Sequence, residues 1–341
     1  MRCVALKDKQ LLSPAMITDP VSRNGSVVIE VKKCGICGSD IHYWDIGQPQ
    51  TLVMGHEFCG TVIDPGSRSD LKIGDRVTAL PISPCGKCEA CLSNNPQYCP
   101  DTWTKAVGLS LTNPGAYAEK TSISPDLTFK LPDNVSDDEA AMIEPMAVGY
   151  HAVNLGNIKK GDNVLVVGAG IIGQMCAMLA KKAGAGYVAI AETNPLRGEK
   201  SIKLGSADKF FNAKDEDYLE KVKAHNPYGF DVVFDCCGNS IAVTNEIICT
   251  KPNGTLILVG VSLDSITIPS SLIVTKELRV LGAIAYTKEE FKECIDMISN
   301  KQVELTKYID DIVTLSDVQK SFERLTSGSD DAIKILIDPH K

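Results

Sequence analysis

The chain has 341 residues, of which 44% are hydrophobic and 23% charged, with a formal net charge of −8. This is the composition of a globular protein long enough for two domains. The acidic balance argues against nucleic acid as the main partner, because such binding rests on neutralising phosphates.

The opening residues, Met1 to Lys7, carry no apolar run and no cleavage pattern, and nowhere does an apolar stretch reach the roughly 20 residues of a membrane span. A cytoplasmic location is expected. There, thirteen cysteines read as metal ligands and buried small hydrophobes, not as a disulfide framework. Strands are predicted at 27–31, 60–63 and 76–80, separated by turn signals such as Asp64-Pro65-Gly66 and Ile73-Gly74-Asp75. This first part is therefore mostly β. Near Met142 the pattern changes. A helix is expected over 144–155, then an apolar strand at 163–167, a helix over 171–183 ended by Gly184, and strands at 187–191, 230–234, 255–259 and 278–281. Strand and helix in alternation imply a parallel, doubly wound sheet. Thr287 with Glu290 forms a capping-box signal, opening helices near 287–299 and 316–326 before a strand at 332–337.

Val166 to Gly173 reads V-V-G-A-G-I-I-G, a GxGxxG that follows an apolar strand and opens a helix. Gly168 permits the tight turn, Gly170 lets backbone N–H groups approach a pyrophosphate, and Gly173 allows close helix–strand packing, with Ile172 between them. Glu192, at the end of the next strand, is placed to accept from an adenosine ribose and to repel a 2′-phosphate, which favours NAD over NADP. Arg197 is the nearby group that could hold such a phosphate.

Cys85, Cys88, Cys91 and Cys99 lie within one short loop, and four thiolates complete a closed tetrahedral zinc shell. The CxxCxxC spacing is also that of an iron–sulfur ligand set. Cys34 is read as a buried strand residue, Cys236 and Cys237 as buried at the end of the strand F-D-V-V-F-D, and His151 as structural.

Cys37-Gly38-Ser39-Asp40, Gly55-His56-Glu57, the four-cysteine loop, Glu144-Pro145 and the glycine loop stand in the order found in the zinc-dependent medium-chain alcohol and polyol dehydrogenases, and nearly the whole chain resembles that family. Within it, the stretches around Cys37 and Glu144 look most like the sorbitol-dehydrogenase branch. The resemblance implies a GroES-like, mostly β catalytic domain at 1–147 and 287–341 and a Rossmann-type domain at 148–286. It implies two zinc ions, NAD, and a homodimer or homotetramer. The catalytic zinc would be held by Cys37, His56 and an acid, with Glu144 preferred and Glu57 as the alternative that also acts directly in some members. Cys85, Cys88, Cys91 and Cys99 would hold the structural zinc, which favours zinc over an iron–sulfur cluster. Asp40 would orient the liganding histidine. Ser39 and His42 match the family's proton relay and Tyr43 a substrate-facing aromatic.

The implied activity is oxidation of a secondary alcohol of a sugar alcohol to the ketone, by lowering the pKa of the hydroxyl and passing a hydride to nicotinamide. Ala285 stands where sorbitol-type members carry an arginine that binds the polyol chain. A butanediol or threonine dehydrogenase with the same metal chemistry is therefore the alternative. A zinc-binding interaction protein without catalysis is the alternative from another class.

Overall fold

The computed structural model describes residues 1–262 and 264–341. The chain divides into two compact units. The first comprises 1–144, 287–327 and 334–341, the second 145–286 and 328–333. The bounds expected from the sequence differ from these at 145–147 and 328–333.

The first unit is built on a seven-stranded sheet. Its path runs Asp311–Val313, Ile335–Ile337, Val27–Gly35, Glu57–Asp64, Arg76–Ala79 and Thr128–Lys130, with Lys120–Ile123 also paired to Val27–Gly35. Pairing is antiparallel except between Asp311–Val313 and Ile335–Ile337. The alternating apolar residues of these strands, among them Val27, Ile29, Val31, Val62 and Val77, meet Trp44, Tyr117 and Phe322 in one core. Arg2–Asp8 and Leu11–Met16 form a separate antiparallel hairpin. The strand expected at 332–337 is shorter, Ile335–Ile337, and the last helix runs Val318–Thr326. Between the strands ending at Gly35 and beginning at Glu57 lies the helix Gly38–Ile46, not anticipated from periodicity.

In the second unit six parallel strands stand in the order Lys209–Asn212, Tyr187–Glu192, Asn163–Val167, Phe230–Asp235, Thr250–Leu258, Arg279–Gly282. With Asn163–Val167 as the first strand this is the order 3-2-1-4-5-6 of a dinucleotide-binding fold, reversing beside that strand. Leu165, Ala189, Val233 and Leu256 are fully buried, as strands covered on both faces require.

Candidate active site and metal centres

The helix Gly38–Ile46 starts where the strand Val27–Gly35 ends, and its N-cap is Cys37. The Asp40 carboxylate reaches back to accept the Cys37 N–H at 3.1 Å. Helix capping thereby fixes both the cysteine and the acid. His56 and Glu57 come from the start of the neighbouring strand, Glu57–Asp64. Sγ of Cys37, a ring nitrogen of His56 and a carboxylate oxygen of Glu57 lie within 4.8 Å of one another. Ser39 Oγ is 3.4 Å from both Cys37 Sγ and His56 Nε2. On the other side of the ring, His56 Nδ1 lies 3.4 Å from Asp40 Oδ1. Asp40 thus faces one ring nitrogen and leaves the other toward Cys37.

Behind this group is a fully buried ion pair, Lys334 with Glu57. Lys334 Nζ donates to Glu57 Oε2 and, at 2.9 Å, to the Ile36 carbonyl. A Cβ on Gly35 would fall 2.2 Å from Glu57 Oε2 and 2.6 Å from Lys334 Cε, so the pair fills the space a side chain there would need. Glu57 Oε1 is buried with no hydrogen-bond partner among the described residues. A thiol, an imidazole and this orphaned carboxylate oxygen are a donor set that would hold zinc.

Burial pushes the Cys37 thiol up, with Glu57 adding to it. For His56, burial works against the charged ring, but Asp40 and Cys37 outweigh it and the pKa stands well above the ordinary value. A similar balance, burial against Glu57, leaves Lys334 raised.

Glu144, preferred as the third zinc ligand from the sequence, is outside the group that shares this spacing, and Glu57 is inside it. Glu57 follows His56 directly and is held by Lys334, whereas Glu144 sits in the first turn of the helix Ile143–Gly156. His42 is exposed on Gly38–Ile46. Tyr43 is half-buried and packs on the core of the first unit.

Two residues of this centre escaped the sequence reading. Lys334 had a signal, a lone cation inside the apolar run A-I-K-I-L-I. Tyr117 had none. Its ring packs edge-on against Phe322, with centroids 6.1 Å apart, and its hydroxyl donates to Asp40 Oδ2 at 2.6 Å. Burial, then Asp40, push Tyr117 well above the ordinary phenol value, so the hydroxyl remains a donor. Tyr117→Phe should leave the Asp40 carboxylate short of a donor and lower zinc affinity at Cys37/His56 by about tenfold, with the four-cysteine loop unaffected. Competition with a chromophoric chelator measures this, and equal affinity would remove Tyr117 from the support of His56.

The four Sγ atoms of Cys85, Cys88, Cys91 and Cys99 also lie within 4.8 Å of one another. Cys88 and Cys91 are 3.5 Å apart, Cys85 and Cys91 4.0 Å. The N–H groups of Cys85 and Asp101 point at Cys99 Sγ at 3.3 and 3.4 Å. The Cys85 N–H most of all, with Asp101, brings Cys99 down to about 6 against its burial.

In the second unit, Gly168 has φ +103° at the turn after Asn163–Val167. A Cβ at Gly173 would meet the Gly168 carbonyl at 1.9 Å, while one at Gly170 meets nothing within 4 Å among the described residues. Gly170 is the N-cap of Ile171–Ala183 and supplies no side chain to its N–H groups. The loop is an open cradle for a pyrophosphate at a helix N-terminus. Ile172 is half-buried in the first turn. Glu192 buttresses the loop. Its Oε2 accepts Ala169 N–H at 2.6 Å, and its Oε1 accepts Thr193 and Asn194 N–H at 2.7 and 2.8 Å. Arg197 is half-buried on Pro195–Lys203. Cys34 and His151 are buried. Cys237, expected to be buried, is exposed, because the strand stops at Asp235 and the chain turns away at Gly238, φ +65°.

Two family models match the chain, the alcohol dehydrogenase GroES-like domain over residues 23–133 and zinc-binding dehydrogenase over 172–300. A sorbitol dehydrogenase of Bacillus subtilis is 30% identical over 100% of this chain and 98% of its own length. A D-xylulose reductase A of Aspergillus oryzae is 31% identical over 91% of this chain and 88% of its own. Among solved structures, the 2R,3R-butanediol dehydrogenase of Bacillus subtilis superposes with a TM-score of 0.87 at 28% identity, covering 99% of both chains.

Proposed function

The chain belongs to the zinc-dependent alcohol and polyol dehydrogenases, and from that premise we propose that it oxidises a secondary hydroxyl of a small polyol to the ketone, with NAD as hydride acceptor. The observation that carries the reading is the grouping of Cys37, His56 and Glu57, with Asp40 behind the imidazole and Lys334 behind the carboxylate.

Cys37, His56 and a carboxylate hold the catalytic zinc. Glu57 is the carboxylate whose orphaned oxygen fits now, and Glu144 remains the second candidate. Cys85, Cys88, Cys91 and Cys99 hold the structural ion. Bound zinc supplies the Lewis acidity that lowers the pKa of a substrate hydroxyl into the neutral range. The protein does the rest. Asp40 keeps the His56 ring oriented. Ser39, with Oγ 3.4 Å from the liganding imidazole, takes the first proton transfer, and exposed His42, one helical turn on, returns the proton to solvent. Tyr43, four residues after Ser39 on the same helix, is the aromatic on the substrate side. Gly168, Gly170 and Gly173 seat the pyrophosphate, Ile172 lines the first turn, and Glu192 disfavours a 2′-phosphate, leaving Arg197 without one to bind.

A sugar alcohol is preferred to 2,3-butanediol or threonine as substrate, on the relatives' chemistry. Ala285 offers a methyl group where a guanidinium fork would grip a long polyol, so a short polyol is the expected best substrate. NADH formation with sorbitol, xylitol, galactitol, 2,3-butanediol and threonine, with NADP and chelator controls, tests this. Chelator-sensitive turnover on polyols is expected, with NAD over NADP. Turnover on butanediol or threonine alone would move the substrate. Silence in zinc-replete protein would overturn the polyol reading.

The edge strand Arg279–Gly282, with Leu281 and Ile284 exposed nearby, supports the homodimer or homotetramer. A light-scattering mass of two or four times 36.7 kDa is expected, and a monomer would refute it. Among the described residues no helix is long and apolar enough to cross a membrane. A cytoplasmic enzyme is the reading we keep.

A further inference from the structure

A third group of metal-type donors lies in the second unit. Asp235 ends the strand Phe230–Asp235, Cys237 follows in the turn, and Glu246 projects from the helix Ser240–Cys249. One ligand atom from each lies within 4.8 Å of the other two. Asp235 Oδ1 is fully used, accepting Cys237 N–H at 3.0 Å, Gly238 N–H at 2.9 Å and the Cys237 thiol at 3.1 Å. Asp235 Oδ2 is buried and lacks a hydrogen-bond partner among the described residues. Glu246 is 1% exposed, and neither of its carboxylate oxygens has a hydrogen-bond donor among the described residues.

Nothing in the helix requires an acid there. Its neighbours Val243, Ile247 and Cys249 are buried core residues, and an apolar side chain would satisfy the same face. A buried carboxylate without a donor is costly, and two side by side more so, unless a proton or a cation joins them. Without a cation a proton serves, since burial and then Asp235 push Glu246 up to about 9. The thiol decides what else the group suits. Two carboxylate oxygens and one sulfur are a donor set for zinc rather than for calcium or magnesium, which take oxygen alone. Cys237 is an exposed residue, so the group lies next to the surface.

We propose that Asp235, Cys237 and Glu246 form a further binding site for a zinc-class divalent cation, on the loop beside the glycine turn. The loop is tied to that turn. Cys236 N–H donates to the Val167 carbonyl at 2.8 Å, and a Cβ on Gly168 would lie 3.2 Å from the Cys236 backbone. An ion here fastens the Cys237–Asn239 segment to the helix beneath it, next to the cradle for the nucleotide.

The test counts metal and does not depend on the dehydrogenase reading. The whole 341-residue chain is equilibrated with buffered zinc, and the bound equivalents are measured by chelator competition for the wild type, Cys237→Ser and Glu246→Gln. Each variant is expected to bind one equivalent fewer than the wild type. In parallel, zinc should protect Cys237 from a maleimide, read by peptide mass spectrometry, and Glu246→Gln should abolish that protection. Equal zinc counts in all three proteins, or maleimide labelling of Cys237 unaffected by zinc, would overturn the site and leave a proton shared by Asp235 and Glu246. If Glu246→Gln fails to fold, Cys237→Ser, in the exposed turn, decides the count alone.

Discussion

Lys334→Met is expected to destabilise the protein by about 3–5 kcal/mol, a loss typical of breaking one partner out of a buried ion pair. Both side chains of the pair are fully buried. Removing the ammonium leaves the Glu57 carboxylate with neither a counter-charge on Oε2 nor a donor on Oε1. It also frees the Ile36 carbonyl, which accepts from Nζ at 2.9 Å. The same argument fixes the sign of the rescue. In Lys334→Met/Glu57→Gln neither member of the pair carries a charge, so most of the loss should return. Zinc supplies a second route to relief, because a carboxylate deprived of Lys334 can turn to the ion beside Cys37 and His56. The cost of Lys334→Met should then be smaller in the zinc-loaded protein than in chelated protein. Denaturant unfolding of the parent, the two single variants and the double, with and without zinc, gives the cost, the rescue and the effect of zinc. A Lys334→Met protein as stable as the parent would show that the pair is not what holds Glu57.

That pair also marks where the sequence stopped being informative. The glycine loop and the four-cysteine loop were legible because their chemistry is local. A Gly-rich turn between an apolar strand and a helix, or four thiols within fifteen residues, carries its meaning in its spacing. Cys37, His56 and Asp40 were legible through family resemblance. The position of Glu57 relative to Glu144 was not, since it depends on Lys334, 277 residues further along the chain. Tyr117, 77 residues from Asp40, was invisible for the same reason. The helix Gly38–Ile46 escaped because it buries only Asp40 and Trp44, too few positions for an amphipathic signature. The segment 328–333 joins the second unit through contacts no local pattern announces, such as Asn194 Nδ2 donating to the Asp330 carbonyl at 2.9 Å.

Gly170→Ala and Gly173→Ala, three residues apart in one motif, should fail in opposite ways. At Gly170, φ is −67°, allowed for any residue, and a methyl group would stand in open space. Folding should therefore hardly notice it. A cap change from glycine to alanine costs at most about 1 kcal/mol. That open space is where the backbone must meet a pyrophosphate. A methyl group there keeps the phosphate oxygens from the N–H groups at the start of Ile171–Ala183, and NAD affinity should fall by about 100-fold, equivalent to roughly 2.7 kcal/mol. At Gly173 a methyl group would lie 1.9 Å from the Gly168 carbonyl, so helix and strand must separate. Here the loss should appear in the stability of the apo protein, by about 1–3 kcal/mol, before any nucleotide is added. Thermal unfolding of both variants, alongside NAD titration by intrinsic fluorescence, separates the two effects. If Gly170→Ala binds NAD as the parent does, the cradle is not the nucleotide site, and the hydride acceptor must be sought elsewhere.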